Sequence, residues 1–243
     1  MFEFLAAAFN VVLYKPLFNS LVLLYNFIPG HDFGIAIIIL TLIIKIILYP
    51  LSLKSVESQR IMQKFQPKIQ EIQKKYKDDK EKQAKEMMVL YKTEKINPFS
   101  GLLLAFIQLP ILIALYSVFW NGLKPEQLVN LYGFVSNPGQ INAVFLGLID
   151  LSKSNIILAI LAGITQFFQT KMLLPKKDNN PSSANDFSKM MQGQMTYFMP
   201  VMTIIILLGL PSALGLYWTA SAIFSIIQQY LIIKKDKQED LKK

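Results

Sequence analysis

Apolar positions along this chain gather into long blocks, separated by charged or turn-rich segments. Residues 34–53 (GIAIIILTLIIKIILYPLSL), 98–120 with its apolar stretch from Gly101, 155–174 and 191–210 each carry a nearly continuous apolar run. A further run over 211–233 follows directly after Leu210-Pro211-Ser212, which is read as a tight turn between helices. A helix needs about 20 such residues to cross a hydrocarbon layer of ~30 Å, so the pattern predicts five transmembrane helices. Residues 1–33 carry weaker signals: Phe18, Leu21, Leu24, Tyr25 and Ile28 recur at helical spacing, interrupted at Lys15-Pro16 and closed by Pro29-Gly30. That spacing predicts an interfacial amphipathic helix followed by a turn, the alternative being an extra span or an uncleaved signal segment.

The polar segments have patterns of their own. In 54–97, Ile61, Phe65, Ile69, Ile72 and Tyr76 form one helical stripe. Lys77-Asp78-Asp79-Lys80 reads as a turn, and Ala84, Met87, Met88 and Tyr91 as one side of a second helix, with Pro67 a candidate kink. A helical hairpin is expected, against a charged loop that merely sets topology. The segment 121–154 is a loop whose apolar residues, among them Leu128, Phe134 and Leu148, suit an interface, with Trp120 as anchor. A loop over 175–190 and a frayed basic tail over 234–243 complete the outline.

Charge turns this outline into a topology. Of 25 Lys and Arg residues, 12 lie in 54–97, four in 171–194 and five after residue 233, all on one side of a five-span arrangement. The other side carries only Lys15, Lys124 and Lys153. The positive-inside rule then predicts an all-α polytopic membrane protein with its N-terminus outside and C-terminus inside. The net charge of +9 is thereby topology, and calls for no sequence-specific nucleic-acid partner. A mean hydropathy of +0.38 agrees with the spans.

Composition removes most catalytic chemistry. With no Cys, disulfides, thiol catalysis and a lipid-modified Cys are out; a single His excludes a multi-His metal site. None of the predicted spans contains Asp or Glu, so neither an aspartyl dyad nor carboxylate-driven proton coupling has its residues. No phosphate-binding GxxxxGK[ST] loop occurs. The expectation is a non-enzyme without cofactor or metal.

One charge does sit deep in a span. Lys45 costs about 2.5–3.5 kcal/mol to insert, which the surrounding Ile and Leu offset. Its side chain either snorkels to the near edge, some eight residues or ~12 Å away, or faces a water-filled cavity. Thr41 lies one turn earlier on the same face, and Gln108, Thr165, Gln166, Gln169, Thr170, Tyr217, Trp218, Thr219, Ser221, Ser225, Gln228 and Gln229 add polar groups from other spans. Any one of them can be interhelical packing glue. Together they suggest a shared pocket for an anionic or strongly polar guest.

The block from Gly34 through Tyr76, then NPFSGLLLAFIQLPILIALYSVF, DLSKSNIILAILAGITQFFQTKM, and MTYFMPVMTIIILLGLPSALGLYWTASAIFSIIQQYLI resemble, in order, the YidC membrane-insertase family and its mitochondrial and chloroplast relatives. The resemblance implies a five-helix core with a hydrophilic groove open to the cytoplasm and lipid, holding a positive residue of the first span. It implies an insertase and chaperone of the bacterial plasma (inner) membrane, acting on nascent membrane proteins in the bilayer without nucleotide hydrolysis. Ribosome and Sec translocon are implied partners. The groove would hold Lys45, Thr41, Gln108, Thr165, Gln166, Gln169, Tyr217, Trp218 and Ser221. The hairpin, with Arg60, Phe65, Lys68, Tyr76 and Lys77, would capture substrate and partners. Lys45 stands where the family usually has Arg, supplying charge without the planar five-donor fork. The compact members, without a large domain before the first span, are the nearer likeness. A membrane adaptor and a small-solute transporter remain the competing readings.

Overall fold

The computed structural model of the chain describes residues 2–94, 97, 100–122, 124–173 and 193–240. These are almost wholly helical: α1 (Phe2–Phe9), α2 (Lys15–Phe27), α3 (Phe33–Ile47), α4 (Tyr49–Lys75), α5 (Lys80–Thr93), α6 (Ser100–Asn121), α7 (Ile156–Leu173), α8 (Met199–Leu208) and α9 (Ser212–Asp240). A short antiparallel pair, Val144–Phe145 with Ile149–Asp150, sits in the loop between α6 and α7. The predicted loop 175–190 and the ends of the chain at Met1 and 241–243 lie outside the described residues.

Three helical stretches are long and apolar enough to cross a membrane: Ala6–Phe27, Ile156–Leu173 and Ser212–Lys234. The pair α3 and α4 qualifies jointly but is bent by 66° at Leu48. Phe106–Asn121 and Gln194–Leu208 are shorter apolar helices. Large side chains such as Ile47 (69% exposed), Phe106 and Ile227 stand on outward faces of these helices. Water does not tolerate such a belt on a monomer, whereas lipid does.

Several boundaries differ from the sequence expectation, each for a local reason. The run 34–53 is not one straight helix. It stops at Ile47, and Pro50 opens α4 in a position where a missing N–H costs nothing. Lys15-Pro16 does not break the N-terminal helix, because a π-turn over Asn10–Tyr14 precedes the proline and absorbs its lost hydrogen bond. The same device recurs at Pro200, which follows a π-turn over Gln194–Phe198. The tail is helical as far as Asp240. The turn between α2 and α3 falls at Gly30 (φ +80°) and His31 (φ +50°).

The hairpin arms are α4 and α5. Helix α4 runs on through Pro67, and Ile69 is its buried contact, while Ile61 at the end of the stripe is exposed. On α5, Gln83, Met87 and Tyr91 are half-buried, but Ala84 and Met88 face outward, so the contacting face is rotated from the predicted one. Asp79 caps α5 by accepting from Lys82 N at 2.9 Å. Burial raises the Tyr91 phenol above its ordinary value.

The apolar core gathers at the end of the bundle that carries the 121–154 loop. Phe18, Leu21 and Val22 of α2, Phe33 and Ile37 of α3, Leu115 and Phe119 of α6, Leu158 of α7 and Leu214 of α9 meet there. The loop joins in: Leu128, Val135, Ile141 and Leu151 are buried, so it is packed into the core rather than merely lying at an interface, although Phe134 and Leu148 remain exposed. Asp32 caps α3 through Ile35 N (2.9 Å) and accepts from Leu146 N (2.6 Å) with its other oxygen. Asp150 is held below the usual carboxylate range by hydrogen bonds from Ser152 and Lys153. Gly163 brings α7 hard against α8: a Cβ there would lie 2.5 Å from Ile204 Cγ1.

Candidate functional site

Beyond that core, toward the hairpin, the same helices diverge around a cavity of about 420 Å³. Side chains of five helices line it, with Met195 of the π-turn before α8. Helix α9 contributes Tyr217, Ser221, Ser225 and then the adjacent Gln228 and Gln229, at intervals of about one turn. Helix α7 contributes Gln166, Gln169 and Thr170, and α6 contributes Gln108. The fourth side begins with Lys45 on α3 and continues past the bend with Ser52 and Gln59 on α4.

Lys45 points into this space and donates to Ser225 Oγ at 3.2 Å. Ser225 in turn donates to Ser221 O at 2.9 Å. Among the described residues no carboxylate lines the cavity, and no described ion pair involves Lys45. The amide of Gln108 donates to Tyr217 Oη. Ser52 and Gln228 form a close pair across the wall, with the hydroxyl at 2.9 Å from Oε1 and 2.6 Å from Nε2. Gln63 on α4 reaches the carbonyl of Leu173, tying the hairpin arm to the end of α7.

Of the expected groove residues, Lys45, Gln108, Gln166, Gln169, Tyr217, Trp218 and Ser221 come together here. Thr41 and Thr165 do not. Thr41 is buried in the core half and donates to Ile37 O at 2.7 Å. Thr165 donates to Leu161 O and Ala162 O on its own helix. Each hydroxyl is satisfied one turn back on its own helix, and neither residue lines the cavity. Ser52 and Gln59 also line the cavity and are not among the expected groove residues: Ser52 lies in the last turn of the predicted span 34–53, and Gln59 in the predicted hairpin.

The hairpin residues are spread along the two arms. Lys68 pairs with Glu94 (3.1 Å) and lies 5.1 Å from the Phe65 ring centre. Tyr76 terminates α4, its N–H bonding to Ile72 O, and Lys77 follows in the turn. Arg60 is half-buried on α4. These side chains are outside the cavity lining.

A basic group in a cavity with no carboxylate among its described lining, inside a bundle with a lipid-facing belt, narrows the possibilities, and comparison with known proteins narrows them further. The family described as 60Kd inner membrane protein matches residues 23–239. The chain belongs to that family. Similar proteins include three named membrane protein insertase YidC. That of Clostridium tetani is 37% identical over 88% of this chain and 88% of its own length. That of Fusobacterium nucleatum is 36% identical over 84% of this chain and 87% of its own. That of Syntrophus aciditrophicus is 38% identical over 90% of this chain, and there the chain spans only 36% of the relative's length. Family and apolar helices together make this a multi-pass protein of the bacterial inner membrane.

Proposed function

We propose that the chain is a membrane protein insertase and chaperone, and that the cavity at the hairpin end is where a short polar segment of a nascent membrane protein enters. The observation that carries the reading is Lys45, turned inward to Ser225 Oγ in a cavity whose amides and hydroxyls are set among apolar side chains such as Val56, Leu112 and Leu173. Moving a polar segment into hydrocarbon is costly because its peptide groups lose water. A polar cavity part-way through the bundle shortens the dry path. The positive charge attracts acidic tails and disfavours basic ones, in accord with the tendency of basic segments to stay inside.

The proposed topology places the N-terminus outside, the C-terminus inside and five spans between, with α3, α6, α7, α8 and α9 as the spans. The hairpin α4–α5 then lies in the cytoplasm, at the mouth of the cavity, where it meets substrate and such partners as the ribosome or the Sec translocon. The apolar span of the substrate slides along the lipid-facing side of α7 and α9.

The test is insertion into liposomes containing only this protein. The substrate is a single-span protein with a short acidic N-terminal tail, and protease protection of that tail is the readout. Lys45→Ala is expected to lower the protected fraction roughly threefold or more, a loss of ~0.7 kcal/mol or greater in the rate-determining step. Lys45→Arg is expected to keep it. Protection that ignores both substitutions removes the charge from the mechanism. No protection above empty liposomes removes the insertase reading and favours an adaptor that works through its hairpin.

A further inference from the structure

The cavity takes up one face of the last turns of α7, where Gln166, Gln169, Thr170 and Leu173 line it. At about 100° per residue, Phe167, Lys171 and Phe168 lie roughly 100°, 140° and 200° round the helix from Gln166, on the flank turned away. None of the three is among the lining residues. They form a cluster of their own, centred on Phe167. Phe168 meets that ring edge-on, with ring centres 5.6 Å apart. Tyr197, from the π-turn before α8, tilts against it at 5.8 Å. Lys171 Nζ lies 5.6 Å from its centre.

The cluster is open on its outer side. Tyr197 is 67% exposed, Phe168 53%, and Lys171 is exposed too. No described ion pair includes Lys171, and its described contact is the Phe167 ring. A ring occupies one side of an ammonium and accepts no conventional hydrogen bond, so the N–H donors are left for another acceptor. Depth says what that acceptor is. Lys171 lies two residues before the end of α7, and Phe167 about 6 Å deeper along the helix. Rings in the hydrocarbon with an ammonium and a phenol above them is the order of a membrane interface. A phosphate ester there meets two donors, one of them charged, and its acyl chains cover the rings. A soluble anion would gain nothing from the two exposed rings.

We propose that Lys171 and Tyr197 hold the headgroup phosphate of an anionic phospholipid where α7 meets the π-turn before α8, with its acyl chains lying on Phe167 and Phe168. The lipid is anionic because a zwitterionic headgroup brings its own ammonium, which competes with Lys171 for the phosphate. On the proposed topology it belongs to the cytoplasmic leaflet. Bound there, it pins the end of α7 at headgroup depth from one flank while the other flank lines the cavity. The assignment requires these helices to be membrane-embedded and does not require the chain to insert anything.

The test reads lipid retention. The full chain in a non-ionic detergent is titrated with phosphatidylglycerol and with phosphatidylcholine of the same acyl chains, and native mass spectrometry counts the lipid kept by the intact protein. The first phosphatidylglycerol is expected to bind roughly tenfold more tightly than phosphatidylcholine, as for one charge-assisted hydrogen bond. Lys171→Ala is expected to abolish that preference, and Tyr197→Phe to lower it about threefold, as for one neutral hydrogen bond. Lys234→Ala removes an exposed cation at the end of the α9 span and is expected to leave the preference intact. A tenfold excess of glycerol 3-phosphate is expected not to displace the lipid. Equal retention of the two lipids, a preference that survives Lys171→Ala, equal losses for Lys171→Ala and Lys234→Ala, or displacement by glycerol 3-phosphate overturns the inference. The comparison of the two lipids needs no substitution, so it stays decisive if a variant does not fold. Loss of liposome insertion with lipid preference intact would remove the insertase reading alone.

Discussion

Ser52 and Gln228 show what single side chains contribute at the cavity wall. Both are nearly inaccessible, and each is the other's partner at 2.6–2.9 Å. Removing Ser52 leaves the buried Gln228 amide unsatisfied, so Ser52→Ala is expected to cost about 1–3 kcal/mol; Gln228→Leu is expected to cost less, because the Ser52 hydroxyl keeps Tyr49 O as an acceptor at 3.1 Å. The double variant is expected to cost less than the sum, since the second substitution removes a group already orphaned. Thermal unfolding in detergent, followed by circular dichroism, checks this; strict additivity would show that the pair is not coupled. At the loop end, Asp32 caps α3 and holds Leu146 N as well, so Asp32→Ala is expected to cost about 1–2 kcal/mol by the same measurement. Lys45 and Ser52, both in the cavity wall, differ in how far the sequence reveals them. Lys45 stands out as a lone charge among Ile and Leu, and the structure turns it inward. Ser52 carries no such mark: its place in the wall depends on the 66° bend at Leu48, which periodicity does not encode. Thr41 and Thr165 mislead for the opposite reason. Their helical positions suit a pocket, but a Thr hydroxyl can satisfy itself on the carbonyl one turn earlier, and both do.

Helices are where pattern is most readable, yet their depth in the membrane is not. Ala6–Phe27 has the length and composition of a span, and on those grounds alone it competes with the interfacial reading. Its hydrogen bonds favour the interface. Tyr14 donates to Gln127, Asn19 donates to Asn130 O and accepts from Tyr132 N, Asn26 donates to Ser136 O, and Tyr25 accepts from Asn142 N. Contacts with one loop thus run the whole way from residue 14 to residue 26. A helix crossing the membrane would meet that loop at one end only. Single cysteines at Lys15 and Asn26, in a chain that otherwise has none, are therefore expected to react with a membrane-impermeant maleimide from the same side. Along a membrane-normal helix the two would differ by ~16 Å in depth, and one would be shielded or labelled from the other side.

Across the whole molecule, packing and polarity are segregated along the helix axes. Helix α9 runs from a packed end, where Ala213 and Leu214 are buried among apolar neighbours, to a stretch from Tyr217 to Gln229 that faces the cavity. Helices α6 and α7 make the same passage from core to cavity, and α3 makes it at Lys45. The hairpin beyond is lightly held: α5 has no buried residue, and α4 is fixed near its start and at Ile69. Such a molecule is rigid at the loop end and yielding at the hairpin end, because local stability follows buried contact. The division has a mechanical consequence for an insertase. On the proposed topology, a firm half at the loop end would keep the barrier to ions closed, while the half at the hairpin end would admit guests of different shape. Hydrogen exchange in nanodiscs reads this directly. Amides of 212–217 are expected to exchange slowly, those of 218–229 faster although they lie within the same membrane-embedded helix, and those of α5 fastest among the helices. Lipid alone would protect both parts of α9 alike, so a step in exchange near Tyr217 requires water in the cavity. Uniform protection through Gln229 would mean that the cavity is dry at rest, and that a guest must bring its own hydration to reach Lys45.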